Sequence, residues 1–194
     1  MTTIGLIRHG VTDWNVQRRA QGQTDIPLNQ DGLNQAQALA RRLLGEQWDM
    51  VVSSDLSRAY VTGKTVANLL QIPIIKDTRL REMYFGEVEG LTKEERIEKW
   101  GPQWKQFDHG GETNEEARSR SVDCVEEVCL QHPNKRILFI SHGATLNQLM
   151  IGLMKDETFD VSFSNTSISV LQKQADKWSL QVLNCAKHLG EGVR

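Results

Sequence analysis

No excess of one charge, no long apolar run and no cysteine framework is found in this sequence of 194 residues. Lysine and arginine number 23 against 25 aspartates and glutamates, a net charge of −2. That balance leaves no footprint for nucleic acid or an acidic membrane surface. Any anion site must then come from locally placed arginines. The three cysteines, Cys124, Cys129 and Cys185, are odd in number and lack Cys-x-x-Cys spacing, so they read as reduced structural thiols of an intracellular protein. No run approaches the roughly 18 apolar residues that span a bilayer. The N-terminus lacks the charged-then-apolar pattern of a secretory leader. Together these absences predict a cytoplasmic protein with no membrane or nucleic-acid partner. Repeats, low-complexity tracts and linkers are missing too, which favours one domain over residues 1–194.

Several familiar sites are also absent. Thr62-Gly63-Lys64-Thr65 resembles the end of a phosphate-binding P-loop, but Arg58 stands where that motif needs its first glycine. No Gly-x-Gly-x-x-Gly follows a strand, which argues against a dinucleotide fold. No His-Glu-x-x-His or Cys/His cluster suggests zinc. A metal between His9 and His142 would be repelled by adjacent Arg8, so no metal and no cofactor are expected.

What is present is a pattern that occurs twice. Ile4-Gly5-Leu6-Ile7 runs into Arg8-His9-Gly10, and Ile137-Leu138-Phe139-Ile140 runs into Ser141-His142-Gly143. Each apolar run reads as a buried strand that breaks at glycine just after a histidine. Set side by side and parallel, the two would bring His9 and His142 together at the carboxyl edge of a sheet, where open α/β folds bind ligands. Between them the spacing predicts a helix over Asn29–Gly45 with Leu33, Ala36, Leu39, Ala40, Leu43 and Leu44 inward. It then predicts a strand over Trp48–Ser53 and a helix capped by Asp55 with Ala59, Thr62, Val66, Leu69 and Leu70 inward. Arg58 falls in that helix's first turn, a poor place for a cation unless an anion is near. Ile72–Lys76 reads as a short strand. Thr92-x-x-Glu95 and Thr113-x-x-Glu116 are capping boxes, the second opening a helix to about His132. A helix follows over roughly Ala144–Lys155, then strands at Ser167–Gln172 and Ser179–Ala186 joined through Ala175-Asp176-Lys177. Strands alternating with helices predict a three-layer α/β/α sandwich, mostly parallel with an antiparallel edge.

The polar residues left over fit one chemistry. Arginine forks suit phosphate oxygens, and a neutral imidazole can act as a covalent nucleophile. Phosphoryl transfer rests mainly on positioning and charge stabilisation. A carboxyl must protonate the departing oxygen, and Glu82, Glu87 and Glu89 all lie in the turn-rich stretch Thr78–Gly90. Tyr84 and Phe85 are expected to bury the carboxyl of Glu82. The residues alone therefore describe a phosphate-handling site.

Five blocks in order give this reading a family. Leu6-Ile7-Arg8-His9-Gly10 with Thr12-x-Trp14-Asn15 resembles the signature of the histidine phosphatase superfamily, which includes the cofactor-dependent phosphoglycerate mutases. Ser53-Ser54-Asp55-Leu56-Ser57-Arg58-Ala59 is similar to its second arginine motif, and Leu80-Arg81-Glu82-Met83-Tyr84-Phe85-Gly86-Glu87-Val88-Glu89-Gly90 to its acid-bearing loop. Gly110-Gly111-Glu112-Thr113 and Ser141-His142-Gly143 also match, as does the late His188-Leu189. The resemblance implies a phosphoglycerate mutase-like fold in which His9 is phosphorylated. It implies that Arg8, Arg58 and His142 hold the phosphoryl group and that Glu82 is the proton donor and then the base. Asn15, Gln21, Gly22 and Gly143 would line the pocket, with Tyr84 and Phe85 beside the substrate.

Within that family the stretch of about 91–111 is a short, lid-like insertion of mixed charge, whereas the full mutases carry a longer, more basic one. This resembles the broad-specificity phosphatase branch, a metal-independent, acid-type phosphomonoester hydrolase of small phosphorylated metabolites with at most weak mutase activity. The alternatives are a cofactor-dependent phosphoglycerate mutase, a phosphoserine or α-ribazole phosphate phosphatase, and a non-catalytic phosphate-binding scaffold. A monomer or homodimer is expected.

Overall fold

Alternating apolar residues build the middle of the sheet and divide its two faces. Strand β1, Thr2–Arg8, turns Ile4 and Leu6 toward one core and Ile7 toward the other. Strand β4, Arg136–Ser141, does the same with Ile137 and Phe139 against Leu138 and Ile140. The two lie side by side and parallel, with Ile7 opposite Ile140 and Arg8 opposite Ser141. His9 and His142 therefore leave the sheet at the same level.

The computed structural model describes residues 1–175 and 177–190. Strands β2 (Met50–Ser53), β3 (Ile74–Lys76), β5 (Ile168–Gln174) and β6 (Lys177–Cys185) complete a six-stranded sheet of order β3-β2-β4-β1-β5-β6. The first four strands in that order run parallel, while β5 and β6 add the antiparallel edge. Asp176, in the connection between β5 and β6, lies outside the described residues.

Six helices are described: α1 (Asp13–Val16), α2 (Gln30–Leu43), α3 (Ser57–Leu70), α4 (Lys93–Trp100), α5 (Asn114–Gln131) and α6 (Gly143–Met154). Leu39, Ala40 and Leu43 of α2 and Ala59, Val66 and Ala67 of α3 cover one face. Cys124, Val125 and Val128 of α5 and Leu146, Leu149 and Met150 of α6 cover the other. Each fully buried Leu, Ile or Phe contributes roughly 1.5–3 kcal/mol, so the strand ends that carry the site rest on a stiff base. Among the described residues no helix is long and apolar enough to cross a membrane.

Both expected capping boxes form, at Thr92 with Glu95 and at Thr113 with Glu116. A third, Thr12 with Asn15, opens α1 in a stretch the sequence reads as loop. Some expectations need correction. Leu33, Leu44 and Leu69 are exposed, because they lie at the edge of their helices' apolar stripes or beyond the last turn. Asp55 does not cap α3. Its carboxylate is taken by Arg81 at 2.8 and 2.6 Å. The cap comes from Asp25, whose Oδ1 accepts from both the amide and the hydroxyl of Ser57 at 2.8 Å. That carboxylate supplies the anion that Arg58 needs nearby in the first turn.

Candidate active site

The turn after β1 is tied down from several sides. The amide of Thr166 donates to the Arg8 carbonyl at 2.9 Å, and the side-chain amide of Asn165 donates to the His9 carbonyl at 2.9 Å. The Gly10 amide donates to Thr62 Oγ1 at 3.1 Å. These ties hold His9, only 3% exposed, with its ring centroid 5.0 Å from that of His142, which is fully buried.

Hydrogen counting sets both imidazoles. His9 Nδ1 lies 2.6 Å from the Gly10 carbonyl, which can only accept. Nδ1 therefore carries the hydrogen, and Nε2 keeps a free lone pair. His142 Nε2 lies 2.8 Å from Ser54 Oγ. That hydroxyl already accepts from the Leu56 amide at 3.3 Å, and no other acceptor takes its hydrogen among the described residues. It donates to His142 Nε2, which leaves Nδ1–H as a donor. Both rings are held neutral. Burial, then the charges of Arg58 and Arg8, push His9 well below the ordinary imidazole value against the opposing bond to Gly10. Burial, then Arg58, His9 and Arg8, do the same to His142.

Arg58 is fully buried, a placement that lowers its affinity for its proton but leaves a guanidinium charged. Its Nη2 and Nη1 donate to the carbonyls of Gly22 at 2.7 Å and Thr24 at 2.9 Å. Arg8 Nη1 donates to the Phe163 carbonyl at 2.5 Å. Four buried polar atoms of the expected site residues find no partner among the described residues: Arg8 Nε, Arg58 Nε, His142 Nδ1 and Gln21 Oε1. Three are donors. A buried orphan donor costs about 1–3 kcal/mol, so the fold maintains a cationic, donor-rich cluster against the His9 ring.

Glu82, 9% exposed, is seated at the start of α6. Its Oε1 meets the amides of Met83 at 3.0 Å and Thr145 at 2.9 Å and the Thr145 hydroxyl at 3.0 Å. Among the described residues Oε2 meets only the Ala144 amide, at 3.2 Å. Tyr84 and Phe85 do not bury this carboxyl. Tyr84 is 47% exposed, and both rings border a separate apolar hollow with Trp104 and Phe107. The other acids of the loop are engaged elsewhere. Glu87 is exposed and faces Lys99 at 3.5 Å. Glu89 braces the loop, accepting from the amides of Gln23 and Thr24 at 2.9 Å and of Phe85 at 3.0 Å.

The remaining expected residues are placed as follows. Gly143 opens α6 beside Arg8, where a side chain would stand 3.5 Å from Arg8 Nε. Gly22 turns its carbonyl, not its amide, toward Arg58. The Asn15 side-chain oxygen accepts from Thr12 and, at 3.5 Å, from Asn165. A cavity of about 650 Å³ lined by Val11, Asn34, Asn165 and His188 touches the cluster through Arg8 alone. Sequence reasoning missed Ser54, Thr62, Thr145 and Asn165 as supports. Arg120 was missed as well; its guanidinium binds Glu112 and the carbonyls of Arg79, Arg81 and Glu82. Among the described residues no group of three or more His, Cys, Asp or Glu could hold a metal.

Comparison with known proteins gives concordant matches. The model of the histidine phosphatase superfamily (branch 1) matches residues 4–186. The chain is 32% identical to the uncharacterized phosphatase PhoE of Bacillus subtilis (strain 168), covering all of both chains. It is 33% identical to the probable phosphoglycerate mutase GpmB of Yersinia pestis (strain Pestoides F), over 92% of this chain and 88% of that one. Among solved structures, phosphoserine phosphatase of Entamoeba histolytica in complex with 3-phosphoglyceric acid superposes with a TM-score of 0.85 at 31% identity, covering 97% of this chain and all of that one.

Proposed function

The chain belongs to the histidine phosphatase superfamily, and from that premise we propose that it hydrolyses monoesters of small phosphorylated metabolites through a phosphohistidine on His9. One observation carries this reading. Arg8, Arg58 and His142, whose charges or ring act directly on His9, each keep a buried nitrogen without a partner among the described residues (Arg8 Nε, Arg58 Nε and His142 Nδ1), beside an imidazole whose Nε2 lone pair is free. A phosphoryl group brings the oxygens those donors lack and the electrophile that the lone pair attacks.

In the first half-reaction the Nε2 lone pair of His9 attacks phosphorus. The bond to the leaving oxygen breaks, and its electron pair stays on that oxygen. Glu82 Oε2, the less saturated carboxyl oxygen, gives the leaving oxygen a proton. Arg8, Arg58 and His142 hold the equatorial oxygens. The Gly10 carbonyl accepts from Nδ1–H and steadies the ring as it becomes cationic. In the second half-reaction water gives a proton to the Glu82 carboxylate and its oxygen attacks phosphorus, and the electron pair of the P–N bond returns to Nε2.

Hydrolysis is favoured over phosphoryl shuttling by the insertion. Holding a bisphosphate calls for free cations near the site, but three of the insertion's four lysines and arginines, Arg96, Lys99 and Lys105, are engaged locally. Arg96 lies 4.9 Å from the Trp104 ring and donates to the Leu91 carbonyl, and Lys99 faces the Trp100 ring and Glu87. Lys105 also sits over Trp104. Phosphoserine and 3-phosphoglycerate are the first substrates to test, because a structural neighbour is a phosphoserine phosphatase holding 3-phosphoglyceric acid. A panel of phosphomonoesters, run beside 3-phosphoglycerate with and without 2,3-bisphosphoglycerate, tests the reading. Phosphate release independent of the bisphosphate is expected. Isomerisation that requires it would make the chain a mutase.

A further inference from the structure

We propose that Thr145 is a positioning residue that fixes which oxygen of Glu82 carries the transferred proton, an inference that rests on Glu82 being the acid. Thr145 Oγ1 stands 2.8 Å from the Arg81 carbonyl and 3.0 Å from Glu82 Oε1. A hydroxyl has one hydrogen, so it serves one of these acceptors at a time. The Arg81 carbonyl does not depend on it, because Arg120 Nη1 donates there at 2.8 Å. The hydroxyl can therefore turn to Oε1 without leaving a buried acceptor unsatisfied.

This freedom matters when the charge on Glu82 changes. With the proton on Oε2, Oε1 is a neutral carbonyl, and two comparable acceptors share the Thr145 hydrogen. As the P–O bond breaks and the leaving oxygen takes the Oε2 proton, the carboxyl becomes a carboxylate. The Thr145 hydrogen then settles on Oε1, where it joins the amides of Met83 and Thr145. Oε1 is saturated by three donors, and only Oε2, with its single bond to the Ala144 amide at 3.2 Å, has lone pairs free to take a proton back from water. Thr145 thus stabilises the charge formed by proton transfer and keeps the exchange on one oxygen. A hydrogen bond to an ionised group is about twice as strong as a neutral one, so its stabilisation appears as the proton leaves.

The test is single-turnover release of the leaving group from an alkyl phosphate and from p-nitrophenyl phosphate, in wild type, T145V, T145S and E82Q. For T145V a loss of about tenfold is expected with the alkyl phosphate and at most about twofold with p-nitrophenyl phosphate, whose departure needs little protonation. T145S, which keeps the hydroxyl, should recover the alkyl rate to within about threefold. If T145V does not fold, T145A is read by the same criteria. Equal losses with both substrates, or no recovery in T145S, would overturn the role of Thr145 while E82Q remains selective for the alkyl phosphate. Equal losses in E82Q itself would overturn the assignment of Glu82 and the inference with it.

Discussion

Gly22→Ala should weaken the protein by more than backbone strain alone, because two separate costs meet at this position. Gly22 has φ +53°, where an L side chain costs about 1 kcal/mol. A Cβ there would also lie 1.9 Å from Glu89 Oε1, the atom that holds the amides of Gln23 and Phe85. Displacing that oxygen loosens two charge-assisted hydrogen bonds, about 2 kcal/mol after allowing for partial exposure. Gly45 supplies the control, since it has φ +88° with nothing within 4 Å of an added Cβ. Gly45→Ala should therefore cost about 1 kcal/mol and Gly22→Ala about 3 kcal/mol. For a domain of this size that is a drop in Tm of about 2–4 °C against about 6–12 °C. Because Arg58 donates to the Gly22 carbonyl, only Gly22→Ala should also raise KM. Thermal unfolding and steady-state kinetics of the two variants decide the matter. Equal Tm values with an unchanged KM would refute the view that Glu89 braces the loop holding Arg58.

The buried imidazoles should make stability fall in mild acid. His9 and His142 are held well below the ordinary imidazole value in the folded chain, and His188 at about 4, so below pH 6.5 the unfolded chain binds more protons than the folded one. Stability is full above pH 6.5 and falls as pH drops, by up to ~1.4 kcal/mol per pH unit for each histidine. Urea unfolding across pH 7 to 5 measures this slope, and a flat profile would contradict the neutral-imidazole assignment. Chelation should leave the rate unchanged, since in the proposed reaction Arg8 and Arg58 take the charge-neutralising role of a metal. Assay after prolonged EDTA treatment is the check, and a loss restored by a divalent ion would show that the site had been misread.

Much of the fold was legible because its signals are local. The two strand-His-Gly runs and the Thr-x-x-Glu boxes each need only neighbouring residues, and all four form. The supports of the site were not legible, because each is a single polar residue brought in from far along the chain. Asp25 caps a helix that starts 32 residues later, and Thr145 reaches back across more than 60 residues to Glu82. Ser54 lies within the arginine motif but carries no spacing that points to His142. The polar run Ser164-Asn165-Thr166-Ser167 before β5 was a usable signal, since so many hydrogen-bonding side chains ahead of a central strand suggest a tied turn. Leu33 and Leu69 show the opposite failure, in which helical period alone does not mark where an apolar stripe ends.

The central claim is that His9 Nε2 carries the phosphoryl group between substrate and water. Rapid quenching of wild-type enzyme during turnover, at alkaline pH to preserve phosphoramidates, followed by peptide mapping, tests it most directly. One phosphoryl group on the peptide containing His9, lost on acid treatment and absent from an inactive His9→Ala variant, is the predicted result. Turnover by His9→Ala at the wild-type rate, or a phosphoryl group found on another residue, would contradict it.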